Sequence, residues 1–124
     1  MIIHDWNRGK WVFKDINSLG CPFHHIHPYK QNAVWHMAAR KPDWVRHMIV
    51  FGSAVKRGHF FESDLDLCVV CSASRHELDF GRIKLPNIRY DIIAVDSLEA
   101  LREKADFTFG SVYYYVVRDG VMVA

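Results

Sequence analysis

A chain of 124 residues, half of them hydrophobic and 14% aromatic, carries enough apolar bulk for one packed core and lacks the composition of a disordered segment. Sixteen basic and fourteen acidic side chains leave a formal charge of +2, which excludes a global positive field of the kind that drives non-specific duplex binding. Nucleic acid stays open as a partner, but charge does not argue for it. Three cysteines, with only Cys68 and Cys71 close together, argue against a disulfide framework and make a reducing cytosol the default. No apolar run approaches the roughly 18 residues that span a bilayer, and Met1 opens no charged-then-apolar leader. The expectation is a cytoplasmic protein with no membrane contact and one domain over residues 1–124.

Residues 1–27 resist reading: Trp6, Trp11 and Phe13 supply bulk, while Asn7, Gly9, Asn17, Gly20 and Pro22 interrupt any long element. A short strand around Trp11 to Phe13 is the one element expected there. From Pro28 the pattern turns helical, with Ala33, Val34, Met37 and Ala38 at helical spacing, Pro28 suited to a first turn and Pro42 setting the limit. His47 to Phe51 is a short apolar run ending at Gly52, a buried strand entering a tight turn. Further strands are expected at Leu65 to Cys71 and, after the turn signal Pro86-Asn87, at Ile88 to Val95. Asp96 or Ser97 can cap a helix carrying Leu98 and Leu101, with Glu99 in its first turn. Val112 to Val117 is ambiguous. Tyr and Val favour a strand, yet a helix begun by Ser111 would put Val112, Tyr113, Val116 and Val117 on one face. Gly120 permits a turn into a last strand, Val121 to Val123.

The segment from Phe51 to Leu67, FGSAVKRGHFFESDLDL, holds two signals. Asp64 and Asp66 are two residues apart on an expected strand, so both side chains share one face. Paired carboxylates repel unless a cation neutralises them, and hard oxygen ligands suit Mg²⁺ shared with the phosphates of a nucleoside triphosphate. Asp91, in an otherwise apolar strand, would be costly to bury unless it faced the same site. Three carboxylates can hold two metal ions about 3.5–4 Å apart to activate a nucleophile and stabilise a leaving pyrophosphate. The second signal is Gly52-Ser53 directly after a strand, where glycine admits phosphate oxygens to the backbone and Ser53 can donate to them. Lys56 and Arg57 lie just beyond, placed to offset phosphate charge.

Gly-Ser, ten residues, then Asp-Leu-Asp, with Ser63 ahead of Asp64 and Leu67 behind Asp66, resembles the signature of minimal nucleotidyltransferases of the polymerase-beta superfamily, notably the antitoxins that partner toxins of the HEPN class. The resemblance runs from about His47 through Asp91 to the tail VVRDGVMV and leaves residues 1–27 outside, as a possible N-terminal extension. It implies an α/β (α+β) nucleotidyltransferase fold, a mixed sheet of about 3–5 strands with helices packed mainly on one face. It implies that Gly52, Ser53, Lys56, Arg57 and Ser63 hold the nucleotide, and that Asp64, Asp66 and Asp91 bind two Mg²⁺ ions and act in catalysis, Asp91 also helping to deprotonate the acceptor. The family often has Arg directly after Gly-Ser and then Arg-Gly; this chain has Ala54, then Lys56-Arg57 with Gly58 one place late.

The functional expectation is transfer of a nucleoside monophosphate, AMP from ATP, to a hydroxyl of a partner protein, a HEPN-type toxin. Transfer to a small molecule or an RNA end uses the same chemistry, and a non-catalytic module that blocks its partner sterically is the alternative of another class. Blander readings accompany each residue. Asp64 and Asp66 could be a solvated edge pair, Asp91 a buried carboxylate offset by Arg89, and Lys56 and Arg57 solvated loop charges. Cys21-x-x-His24 and Cys68-x-x-Cys71 have the spacing of a zinc site, but two strand cysteines three apart point to opposite faces, and His24, His25 and His27 read more readily as surface or packing residues. Tyr113, Tyr114 and Tyr115 read as core and interface material, or as a modification target or partner contact.

Overall fold

The computed structural model describes residues 2–5, 10–13, 26–55, 64–71, 84–85, 87–107 and 110–124. In chain order these form β1 (Ile2–Asp5), β2 (Lys10–Phe13), α1 (Pro28–Ala39), β3 (His47–Phe51), a 3-10 turn (Gly52–Val55), β4 (Leu65–Val70), β5 (Tyr90–Val95), α2 (Leu98–Phe107), α3 (Val112–Asp119) and β6 (Val121–Met122). The strands make one mixed sheet in the order β2-β1-β6-β3-β4-β5. Its pairs β1–β2, β6–β3 and β3–β4 are antiparallel, while β1–β6 and β4–β5 are parallel.

β3 and β4 form because their residues are apolar on both sides of the chain. All of β3 but His47 and all of β4 but Asp66 are buried, the continuous pattern of strands covered on both faces. Alternation divides them. Met48, Val50, Leu65, Leu67 and Val69 join Ala33, Val34 and Met37 of α1 in one core cluster. Ile49, Phe51, Cys68 and Val70 join Leu101 of α2 and Val116 of α3 in the other. Two helices therefore share a face as expected, and α1 covers the opposite one.

Helix boundaries follow from local chemistry. α1 opens on Pro28, whose missing N–H costs nothing in a first turn, and stops at Ala39, three residues before Pro42. The Ser97 Oγ accepts a hydrogen bond from the Ala100 N–H at 2.9 Å and caps α2. Ser111 does the same for α3 through Tyr114, which resolves the ambiguous Val112 to Val117 run as a helix. Val116 is its buried residue, and Tyr113 and Val117 pack against the same cluster. Val112, expected on that face, is 40% exposed, because it occupies the first turn beside the cap.

Two features depart from the expectation. The sheet has six strands against about 3–5, because β1 pairs with β2 and joins the sheet through Ile2 opposite Val121 of β6. Much of the stretch from 1 to 27 lies outside the described residues, but β1 and β2 belong to the sheet. The third expected strand is also shorter, starting at Tyr90, where the phenol oxygen accepts a hydrogen bond from the Leu85 N–H at 3.0 Å. Among the described residues no helix is long and apolar enough to cross a membrane.

Candidate active site

β3 delivers the chain into Gly52 with φ +73°, the left-handed region that favours glycine. A second constraint acts on the same residue. A Cβ placed there would lie 3.1 Å from the Asp66 Cγ and 3.3 Å from its Cβ, and would overlap the carboxylate oxygen Oδ2. The backbone of the Gly-Ser turn is thus pressed against the second aspartate of the Asp-x-Asp pair. Adding one C–C bond of about 1.5 Å and one Cα–Cα step of about 3.8 Å to that 3.1 Å separation puts the Ser53 Cα within about 8.5 Å of the Asp66 carboxyl carbon. That distance is within the span of a triphosphate. The turn is anchored from outside the sheet by the His27 N–H, which donates to the Ala54 carbonyl at 2.7 Å.

Register assembles the carboxylates. Phe51 lies opposite Asp66, and Asp66 lies opposite Asp91, so one line across three strands ends beside Gly52. In a parallel pair, partnered residues present their side chains to the same face. Asp66 alternates with Leu65 and Leu67, which belong to the α1 cluster, so it shares the α2 and α3 face with Cys68 and Val70. Asp91 alternates likewise with Ile92. One rung earlier, the Leu65 N–H donates to the Arg89 carbonyl at 2.8 Å, and the Arg89 Nε lies 3.1 Å from the Asp64 Oδ1. The site is two rungs, Asp64 beside Arg89 and Asp66 beside Asp91.

Asp91 departs from expectation. It is exposed, because β5 is the outermost described strand on this side of the sheet, and water solvates what an inner strand would have buried. The reading of Asp91 as a buried carboxylate offset by Arg89 falls with that exposure, and Arg89 lies against Asp64. Asp64 is partly sheltered. Its side chain is 44% exposed, yet its Oδ1 is sealed from solvent and has no hydrogen-bond partner among the described residues. The 3.1 Å contact with Arg89 supplies charge without hydrogen-bond alignment. Lys56, Arg57 and Ser63 lie outside the described residues.

Among the described residues no group of three or more His, Cys, Asp or Glu side chains is gathered closely enough to hold a metal ion. Like charges on neighbouring strands repel, and Asp64 is turned toward a resident cation. The donor chemistry is that of a Mg²⁺ site, three carboxylates on one face with an oxygen of Asp64 short of a hydrogen bond, while the spacing of the three is wider than a metal site requires.

The cysteines do not form a second centre. Cys68 and Cys71 are free and buried in opposite clusters, as strand geometry required, so they cannot grip one ion. Burial, with a smaller contribution from Cys71 and against the pull of Lys104, pushes the Cys68 thiol up to about 12. Burial also raises Cys71. Both are unreactive packing thiols. Cys21, His24 and His25 lie outside the described residues.

Two features escaped the sequence reading. The Arg89–Asp64 rung becomes visible once Asp66 is aligned with Asp91, since the same parallel register carries Asp64 to Arg89. The other is the exit of α3, which packs against the 3-10 turn. There the Arg118 guanidinium lies 5.5 and 4.9 Å from the ring centres of Tyr114 and Tyr115 and forks onto Asp119 at 3.0 and 2.8 Å. Tyr113 instead receives Lys104 of α2 at 5.0 Å. The three tyrosines thus stack with cations at half-buried positions.

Comparison of the chain with family models, curated proteins and solved structures finds no match.

Proposed function

We propose that the chain is a metal-dependent nucleotidyltransferase that moves AMP from ATP to a hydroxyl of a partner protein. One observation carries the reading: the backbone of a Gly-Ser turn touches the second carboxylate of an Asp-x-Asp pair, and that carboxylate shares its rung with a third aspartate. That contact sets a candidate phosphate-binding turn directly beside candidate metal ligands.

Asp64, Asp66 and Asp91 would hold Mg²⁺, which supplies charge neutralisation for the triphosphate and for the departing pyrophosphate. Gly52 and Ser53 receive the phosphates through the backbone N–H groups and the Ser53 hydroxyl, with Lys56 and Arg57 as the expected cations. Asp91, at the water-exposed outer strand, takes the proton of the acceptor hydroxyl. The acceptor oxygen bonds to the α-phosphorus as the bond to the bridging oxygen breaks, and pyrophosphate leaves. A chain of this size offers little surface for orienting a polymer. A partner protein that brings its own hydroxyl fits better, and the resemblance points to a HEPN-type toxin, silenced by the added charge and bulk.

Incubating the protein with α-phosphate-labelled ATP, Mg²⁺ and the product of the adjacent reading frame tests this. Label on that protein, lost with Asp66→Asn, is the expected result. Label on a small molecule or an RNA end would redirect the acceptor. A tight complex without label would favour steric blocking.

A further inference from the structure

We propose that Arg89 is an exchangeable counter-ion: it holds Asp64 in the metal-free protein, yields it to the divalent cation, and then serves the nucleotide phosphates. The inference rests on the nucleotidyl-transfer reading and adds a residue to it.

The Asp64–Arg89 rung places a cation where a carboxylate pair would otherwise repel. Its backbone is fixed by the 2.8 Å hydrogen bond from the Leu65 N–H to the Arg89 carbonyl, while its side chains lie toward the surface. Arg89 is 78% exposed and Asp64 44%, and an exposed ion pair is weak. The Asp64 Oδ1 lacks a hydrogen bond and is sealed from water, so the pair leaves its acceptor incompletely satisfied. A divalent cation at that oxygen supplies what the guanidinium does not.

Release does not remove Arg89 from the site. It lies two positions before Asp91, on the same face of the outer strand. The planar fork of a guanidinium matches two phosphate oxygens as well as it matches a carboxylate. The incoming metal and nucleotide therefore exchange partners with the resident pair: carboxylate to metal, guanidinium to phosphate.

This arrangement gives Arg89→Gln two effects of opposite sign, on the cation and on the nucleotide, and Arg89→Lys, which keeps the charge and loses the planar fork, separates partner exchange from charge alone. Calorimetric titration of Mn²⁺ into the metal-free protein should show about 2- to 5-fold tighter binding in Arg89→Gln, the gain from removing a weak competitor. Titration of a Mg²⁺-bound non-hydrolysable ATP analogue should show roughly 10-fold or weaker binding in the same variant, the loss of a charged hydrogen bond. Arg89→Lys should fall between in both. Equal or weaker Mn²⁺ affinity in Arg89→Gln, or unchanged affinity for the analogue, overturns the exchange; if the wild-type protein still transfers label, nucleotidyl transfer stands. Absence of Mn²⁺ binding by every variant, together with absence of label transfer, overturns both.

Discussion

Replacing Gly52 by alanine meets two separable obstacles, and the structure allows each to be weighed. The left-handed backbone at φ +73° costs an alanine about 1–2 kcal/mol. The new methyl also overlaps the Asp66 carboxylate and lies 3.1 Å from its Cγ, so Asp66 must leave its rotamer at about 0.5–1.5 kcal/mol. Together these give about 1.5–3.5 kcal/mol, or a fall in Tm of roughly 6–14 °C for a chain of this size. Gly110 is the internal control, since it has φ +80° and nothing within 4 Å of an added Cβ. Gly110→Ala should show the backbone cost alone, about 1–2 kcal/mol. In an Asp66→Ala background, Gly52→Ala should cost little more than Gly110→Ala does, with a coupling of about 1 kcal/mol in the double-mutant cycle. Thermal and urea unfolding measure all four variants. Equal costs at the two glycines and no coupling with Asp66 would refute the contact on which the site is built. Label transfer should fall about 10²-fold in Gly52→Ala, the effect expected of a reactive group displaced by about 1 Å.

Asp66→Asn should abolish transfer while the protein folds as before, and Asp91→Asn should change stability by no more than about 0.5 kcal/mol, since Asp91 is exposed, while cutting turnover about 10²-fold; melting curves beside the labelling assay check both. Ser111→Ala removes the cap of α3 and should cost about 1 kcal/mol, roughly 4 °C in Tm. The Cys68 thiol is raised in the folded chain from 9.0 to about 12, so the folded state keeps a proton that the unfolded state gives up. Its contribution is fully present below pH 9.0 and is lost as pH rises toward 12. The urea midpoint should therefore fall as pH rises from 9.0 toward about 12, and less steeply in Cys68→Ala.

The elements that bury a simple pattern were legible. His47 to Phe51 is apolar throughout and ends at a glycine, and β3 has those bounds. Asp-Leu-Asp alternates, and Leu65 and Leu67 are buried on the opposite face from Asp66. What sequence could not supply was neighbourhood. Asp91 was judged from the apolar residues beside it in the chain, but its burial depends on whether another strand lies beyond β5. The pairing of Asp64 with Arg89 depends on parallel register, which no local signal encodes. β1 was missed because four residues carry too short a pattern to read. Val112 to Val117 was undecidable because propensity and periodicity disagreed. The Ser111 cap and the cluster around Val116 are tertiary answers to that conflict.

β6 is two residues long, yet it lies between β1 and β3. Without it, the described pairings fall into two rafts, β1 with β2 and β3 with β4 and β5. Ile2 meets its partner only when Val121 has been synthesised, so on the ribosome the first strand waits for the last. Contacts of such long sequence separation slow folding. They also make synthesis of β6 a condition for closing the sheet, so a chain that stops short of it lacks the described strand that joins the two rafts.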